Sequence, residues 1–89
     1  MSVFKGMVYY KEEGGIEEIE IDTTSKNLEK FQKIVEGYIE LVEYGKHLFI
    51  VNEDGYIKNL PFNDNIEKQY GQCFVGNVIV LPIEFLVDF

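Results

Sequence analysis

Four apolar residues in a row, Leu48-Phe49-Ile50-Val51, stand between a Gly45-Lys46 turn and a Glu53-Asp54-Gly55 turn. Successive strand residues point to opposite faces, so a strand with no polar face needs cover on both sides. This run predicts an interior strand of a sheet. Around it, Tyr38 to Tyr44 reads as a strand leading into the Gly45-Lys46 turn. The Asp-Gly turn leads into Tyr56 to Leu60, read as a further strand that Pro61 breaks.

The N-terminal third has a different rhythm. Residues 3–22 read as a hairpin, with Glu13-Gly14-Gly15 as the turn because Gly-Gly tolerates positive φ. Ile19 and Ile21 alternate with Glu18, Glu20 and Asp22, which gives one apolar and one acidic face. Ile16 is out of phase and predicts a bulge near the turn. Thr23-Thr24-Ser25 offers cap hydroxyls before a stripe of Leu28, Phe31, Ile34 and Val35 at helical spacing. A helix over about 25–36 follows, with Gly37 as its left-handed stop. A second short helix is expected from Asp64 to Tyr70, capped by Asn63 or Asp64 and ended by Gly71. Cys73-Phe74-Val75 and Val78-Ile79-Val80-Leu81 flank a turn or bulge at Gly76-Asn77.

These elements predict an α+β fold: a mostly antiparallel sheet of five or six strands with one main helix packed on it. Eighty-nine residues make one domain, 1–89, with a sheet over 38–81 and a tail over 82–89. Phe85, Leu86, Val87 and Phe89 in that tail either cap the core or dock on a second subunit, and a homo-oligomer is expected. The start, MSVFKGMVYY, has one lysine and no long apolar core, so no signal peptide is expected, and no run is long enough for a membrane span. A single cysteine fits a reducing cytoplasm, with Cys73 read as a small buried hydrophobe.

Function classes narrow by subtraction. The chain has sixteen carboxylates, eight lysines, no arginine, one histidine and a net charge of −8. Such a balance repels phosphate backbones, so direct nucleic-acid binding is not expected and a basic protein surface is the natural partner. His47 sits beside a hairpin turn and Ser25 reads as a helix cap, which leaves no nucleophile–base–orienter set. One Cys and one His do not make a zinc site. The stretch NEDGYIKNLPFND lacks calcium-loop spacing, and Gly14-Gly15 lacks a phosphate-loop frame. Neither an enzyme nor a cofactor is expected.

Six carboxylates and no basic residue fall within residues 12–22. Glu12, Glu13, Glu17, Glu18, Glu20 and Asp22 are the candidate binding surface, since spaced carboxylates on a rigid element imitate a row of phosphates.

Several short stretches match a known pattern. Phe31-Gln32-Lys33-Ile34-Val35-Glu36-Gly37-Tyr38-Ile39-Glu40 is similar to LQ-x-x-VGGYIE, Val51-Asn52-Glu53-Asp54-Gly55 to V-x-NEEG, and Leu60-Pro61-Phe62-Asn63 to LPxN. A closing G-x-x-x-x-G-x-x-x-V matches Gly71 to Val80. Together they resemble domain-of-unknown-function family 3846, short domains of phages and other mobile elements, sometimes found alongside antirestriction proteins. The resemblance covers about 28–81, with the hairpin and tail outside it, and Glu36 stands where the pattern usually has glycine. It implies a mobile-element context and brings no catalytic residue. Gln32, Asn52 and Asn63 are its polar positions. With Tyr38 they form an alternative candidate pocket.

The expected function is a non-catalytic protein, in the host cytoplasm, that counters a host defence by binding a host protein through its acidic surface. One alternative is an oligomer that sequesters a nucleotide-derived immune signal, with Tyr38, Tyr44 and Tyr56 stacking a base and Lys46 and Lys58 holding phosphates. A structural or accessory subunit is a third.

Overall fold

The computed structural model describes residues 3–22 and 27–88. Five strands form one antiparallel sheet: β1 (Val3–Tyr9), β2 (Ile16–Asp22), β3 (Ile39–Tyr44), β4 (His47–Asn52) and β5 (Val78–Pro82), in the order β2-β1-β5-β4-β3. Three helices accompany them: α1 (Asn27–Val35), α2 (Asp64–Tyr70) and the short α3 (Phe85–Asp88). The fold is α+β as expected, with five strands and more than one helix.

β4 lies between β5 and β3, where its unbroken apolar run belongs. Leu48 and Ile50 join Phe31 and Val35 of α1, Val8, Ile21 and Ile79 in one buried cluster. Phe49 and Val51 point the other way, into a second cluster with Ile66 of α2, Tyr9 and Val80. The sheet is therefore covered on both faces, by α1 on one and by α2 with Phe74 on the other. Burying each large side chain contributes on the order of 1.5–3 kcal/mol, and nine residues of these two clusters have 0% exposure.

The register of β2 explains its alternation. Ile21 pairs with Phe4 and Ile19 with Gly6 on the α1 face, whereas Glu20 pairs with Lys5 and Glu18 with Met7 on the α2 face. Ile16 needs no bulge: it pairs with Tyr9 and closes the ladder, and residues 10–15 form the connection. At Gly6 an added Cβ would lie 2.5 Å from Leu81 Cδ2 and 3.0 Å from the Val80 carbonyl oxygen, so a side chain there would push β5 away.

Three further expectations are corrected. Residues 56–60 are not a strand: Lys58 N–H bonds the Asp54 carbonyl and Leu60 N–H the Gly55 carbonyl, at 2.9 and 3.0 Å, and Asn59 has φ 56°. These i→i+4 and i→i+5 closures satisfy the backbone locally, and Tyr56 and Ile57 stay exposed. The left-handed residue after α1 is Glu36, at φ 67°, not Gly37. Gly37 is needed for space instead, since its Cβ would meet Asn52 Nδ2 at 2.8 Å. Cys73 is exposed; its neighbour Phe74 takes the inward position, 5.3 Å from the Phe49 ring. The Thr23-Thr24-Ser25 cap and Phe89 lie outside the described residues.

α2 starts and stops where its sequence says. Asn63 Oδ1 accepts the Ile66 N–H at 3.0 Å, and Gly71, at φ 70°, donates its N–H to the Glu67 carbonyl. The tail turns inward: Phe85 is 1% exposed and packs edge-on to Phe4 and Phe31.

Candidate functional site

The acidic candidates sit on an edge of the sheet. β2 pairs only with β1, so its outer side carries backbone N–H and C=O groups outside any ladder. Its carboxylates divide between faces. Glu18 and Glu20 lie on the α2 face, Glu17 lies on the α1 face, and Glu12 and Glu13 are exposed in the connection before β2. Asp22 pairs with Val3 at the strand's end, and its side chain lies outside the described residues. The structure thus gathers these residues along one strand rather than on one flat face.

Among the described side chains of this set, Glu17 alone is engaged, accepting from the Tyr10 hydroxyl at 2.6 Å. That hydrogen bond, with burial and the charges of Glu17 and Glu12, raises the Tyr10 pKa. Among the described residues the only ion pair is Lys11–Glu36, at 2.6 Å, which holds the Lys11 ammonium above its ordinary pKa. No described lysine pairs with the carboxylates of Glu12, Glu13, Glu18 or Glu20.

The alternative polar residues are placed very differently. Asn52 donates to the Val35 carbonyl at 2.9 Å and accepts the Asp54 N–H at 2.8 Å. Asn63 donates to the carbonyls of Tyr9 and Gly76, at 2.7 and 2.8 Å, while capping α2. Gln32 is half-buried on α1, and Tyr38 is exposed just before β3. Of the four, Asn52 lines a cavity of about 110 Å³, together with Tyr56, Cys73 and Phe74.

Two further asparagines play the same part, and sequence reading passed over both. Asn77 donates to the Ile34 carbonyl and accepts the Lys11 N–H; Asn65 donates to the carbonyls of Tyr10 and Glu12 and accepts the Gly14 N–H. Helix ends leave carbonyls without intrahelical partners, and buried ones must be bonded. Asn52, at the end of β4, and Asn77, just before β5, supply those partners to α1. Asn65 fixes the connection from which Glu12 and Glu13 project. Asn77 stands beside Gly76, a pairing shared by ordinary turns, and Asn65 lies between Asp64 and Ile66 with no local signal of its role.

On the α2 face a second cavity, of about 230 Å³, opens where β1 and β5 part. Lys5, Met7, Lys46, His47 and Tyr70 are among its lining residues. Tyr70 packs edge-on to Tyr9, Phe49 and His47. Burial, followed by a hydrogen bond with Tyr70, pushes the Tyr9 pKa up to about 12. No cluster of three or more His, Cys, Asp or Glu able to hold a metal occurs among the described residues. None of the described helices is long and apolar enough to cross a membrane.

A family model described as a domain of unknown function, DUF3846, matches residues 5–84. The chain belongs to that family. No curated protein and no solved structure matches it. The DUF3846 match reaches well beyond the 28–81 stretch that carried the resemblance: it takes in nearly all of the hairpin and the first residues of the tail. Both hairpin strands are therefore part of the DUF3846 domain.

Proposed function

We propose that this DUF3846 domain is a non-catalytic binding protein of a phage or other mobile element, which counters a host defence in the host cytoplasm by engaging a basic host protein through its acidic hairpin. The observation that carries this reading is β2 itself. It is an edge strand with an open ladder side; its carboxylates stand on a backbone tied down by the β1 register, and Asn65 fixes the connection that carries Glu12 and Glu13.

Charged surfaces of this kind steer association and fix register, and their attraction is screened within about 8–10 Å at ordinary ionic strength. A pull-down from host lysate at low and high salt tests the proposal, repeated with Glu17, Glu18 and Glu20 all changed to Gln. Capture of a basic protein that fades with salt and vanishes in the triple variant is the expected result. Capture of the same protein by the triple variant at undiminished strength would refute it.

A further inference from the structure

We propose that the cleft between β1, β5 and α2 is a binding site for a small phosphoryl-bearing molecule, gripped by Lys5, Lys46 and His47. The site shares no lining residue with the acidic hairpin strand, though Lys5 faces Glu20 across the β1–β2 ladder.

Composition makes the cleft unexpected. With sixteen carboxylates against eight lysines and one histidine, a random surface pocket would be lined mainly by acids. This one is lined by two lysines and the histidine, and by no carboxylate. Glu20 is the nearest acid by register, across the β1–β2 ladder from Lys5 and on the same face. It tempers Lys5 without joining it in an ion pair, since Lys11–Glu36 is the only such pair among the described residues.

The three side chains stand on fixed backbone from three directions. Lys5 stands on β1, whose ladder to β5 ends at Met7–Val80, so the strands open beside it. Lys46 stands in the β3–β4 turn, where its carbonyl accepts the Ile83 N–H at 2.9 Å. His47 pairs with Pro82 in the ladder, and its ring packs 5.1 Å from that of Tyr70. Two ammonium groups and an imidazole converging on one cleft favour an anion with several acceptor oxygens. Size sets the class: about 230 Å³ is below the roughly 300–1,000 Å³ of sites for drug-sized ligands. The cleft therefore takes inorganic phosphate or the phosphate end of a larger molecule.

The test is an amide-resolved NMR titration with inorganic phosphate and, in parallel, with AMP, at constant ionic strength. Saturable shifts at Gly6, His47 and Leu81 are expected, with binding weakened at least about tenfold in a Lys5→Gln/Lys46→Gln double variant. Both lysines are exposed, so that variant should melt with the parent, which a thermal scan verifies. Equal affinity for phosphate and AMP assigns the site to the phosphoryl group alone; tighter AMP binding with shifts at Tyr70 assigns it to a nucleotide. Absence of saturable shifts up to about 10 mM of either probe, a range that already detects millimolar binding, would overturn the proposal. So would unchanged affinity in the double variant.

Discussion

Asn63 is where the structure makes its most exposed claim, because one side chain serves three backbone groups. It is 1% exposed; its amide donates to Tyr9 and Gly76, and its oxygen caps Ile66. Asn63→Ala strands two buried acceptors, at about 1–3 kcal/mol each if water cannot reach them, and removes a cap worth about 0.5–2 kcal/mol. Carbonyls keep a second lone pair for other partners, so a net loss of about 3 kcal/mol is the working figure. A domain of this size has a total stability of roughly 5–15 kcal/mol. The melting temperature should fall by roughly 12–24 °C, at about 4–8 °C per kcal/mol.

Asn63→Asp separates hydrogen bonding from size. The aspartate keeps the oxygen that caps Ile66 but turns the double donor into an acceptor facing two carbonyls. The charged form is disfavoured there, so the folded pKa rises above the ordinary 3.9 or so. A raised folded pKa means stability that is fully present below the unfolded pKa and lost as pH rises through the folded one. Circular-dichroism melts at pH 4 and pH 7 should therefore show this variant much closer to the parent at pH 4. A variant as stable as the parent at pH 7, or a deficit that does not change with pH, would refute the reasoning.

Three further predictions concern the backbone and core. Glu36→Gly should raise the melting temperature by a few degrees: it relieves a left-handed residue costing about 1–2 kcal/mol against an exposed ion pair worth about 0–1 kcal/mol, and a fall would show the Lys11 contact to be the stronger effect. Gly6→Ala should cost about 1–3 kcal/mol through its clash with Leu81 and the Val80 carbonyl, measured by urea denaturation; an unchanged midpoint would contradict the close β1–β5 approach. The Tyr9 hydroxyl, with its pKa near 12 against an ordinary 10, contributes stability that is present below about pH 10 and lost as pH rises towards 12. Tyr9→Phe should lose less of its melting temperature than the parent across that window, and identical alkaline profiles would count against the assignment.

How much of this was legible in the sequence depended on how far each residue reaches. β4 was readable because its four apolar residues state their burial locally, and α2 because Asn63, Ile66 and Gly71 lie within one short stretch. Residues 56–60 misled because Tyr-Ile-Lys-Asn-Leu has strand composition, while its conformation is set by Asn59 adopting positive φ and by closures onto Asp54 and Gly55. The long-range asparagine contacts could not be read at all. Asn63 meets Tyr9 across 54 positions and Asn77 meets Lys11 across 66, so nothing in either neighbourhood names the partner. The hairpin's acids were visible as a cluster, but their division between two faces of an edge strand followed only from the register with β1. The lysine cleft was hidden for the same reason, since Lys5 and Lys46 meet only once β5 is in place.

The strand order β2-β1-β5-β4-β3 also dictates a timetable. The β1–β2 and β3–β4 hairpins close over short connections, on the microsecond scale typical of hairpins. β5 is last in sequence of the five, yet it is the wedge that must enter between β1 and β4. Until it arrives there is no continuous sheet, only two ribbons whose long-range closure is entropically costly. Folding speed should therefore be governed by the docking of Val78–Pro82, and substitutions in β5 should slow folding more than equally destabilising ones in β2 or β3. A chain that has yet to deliver this strand has neither the cleft nor a shared platform for its two edges.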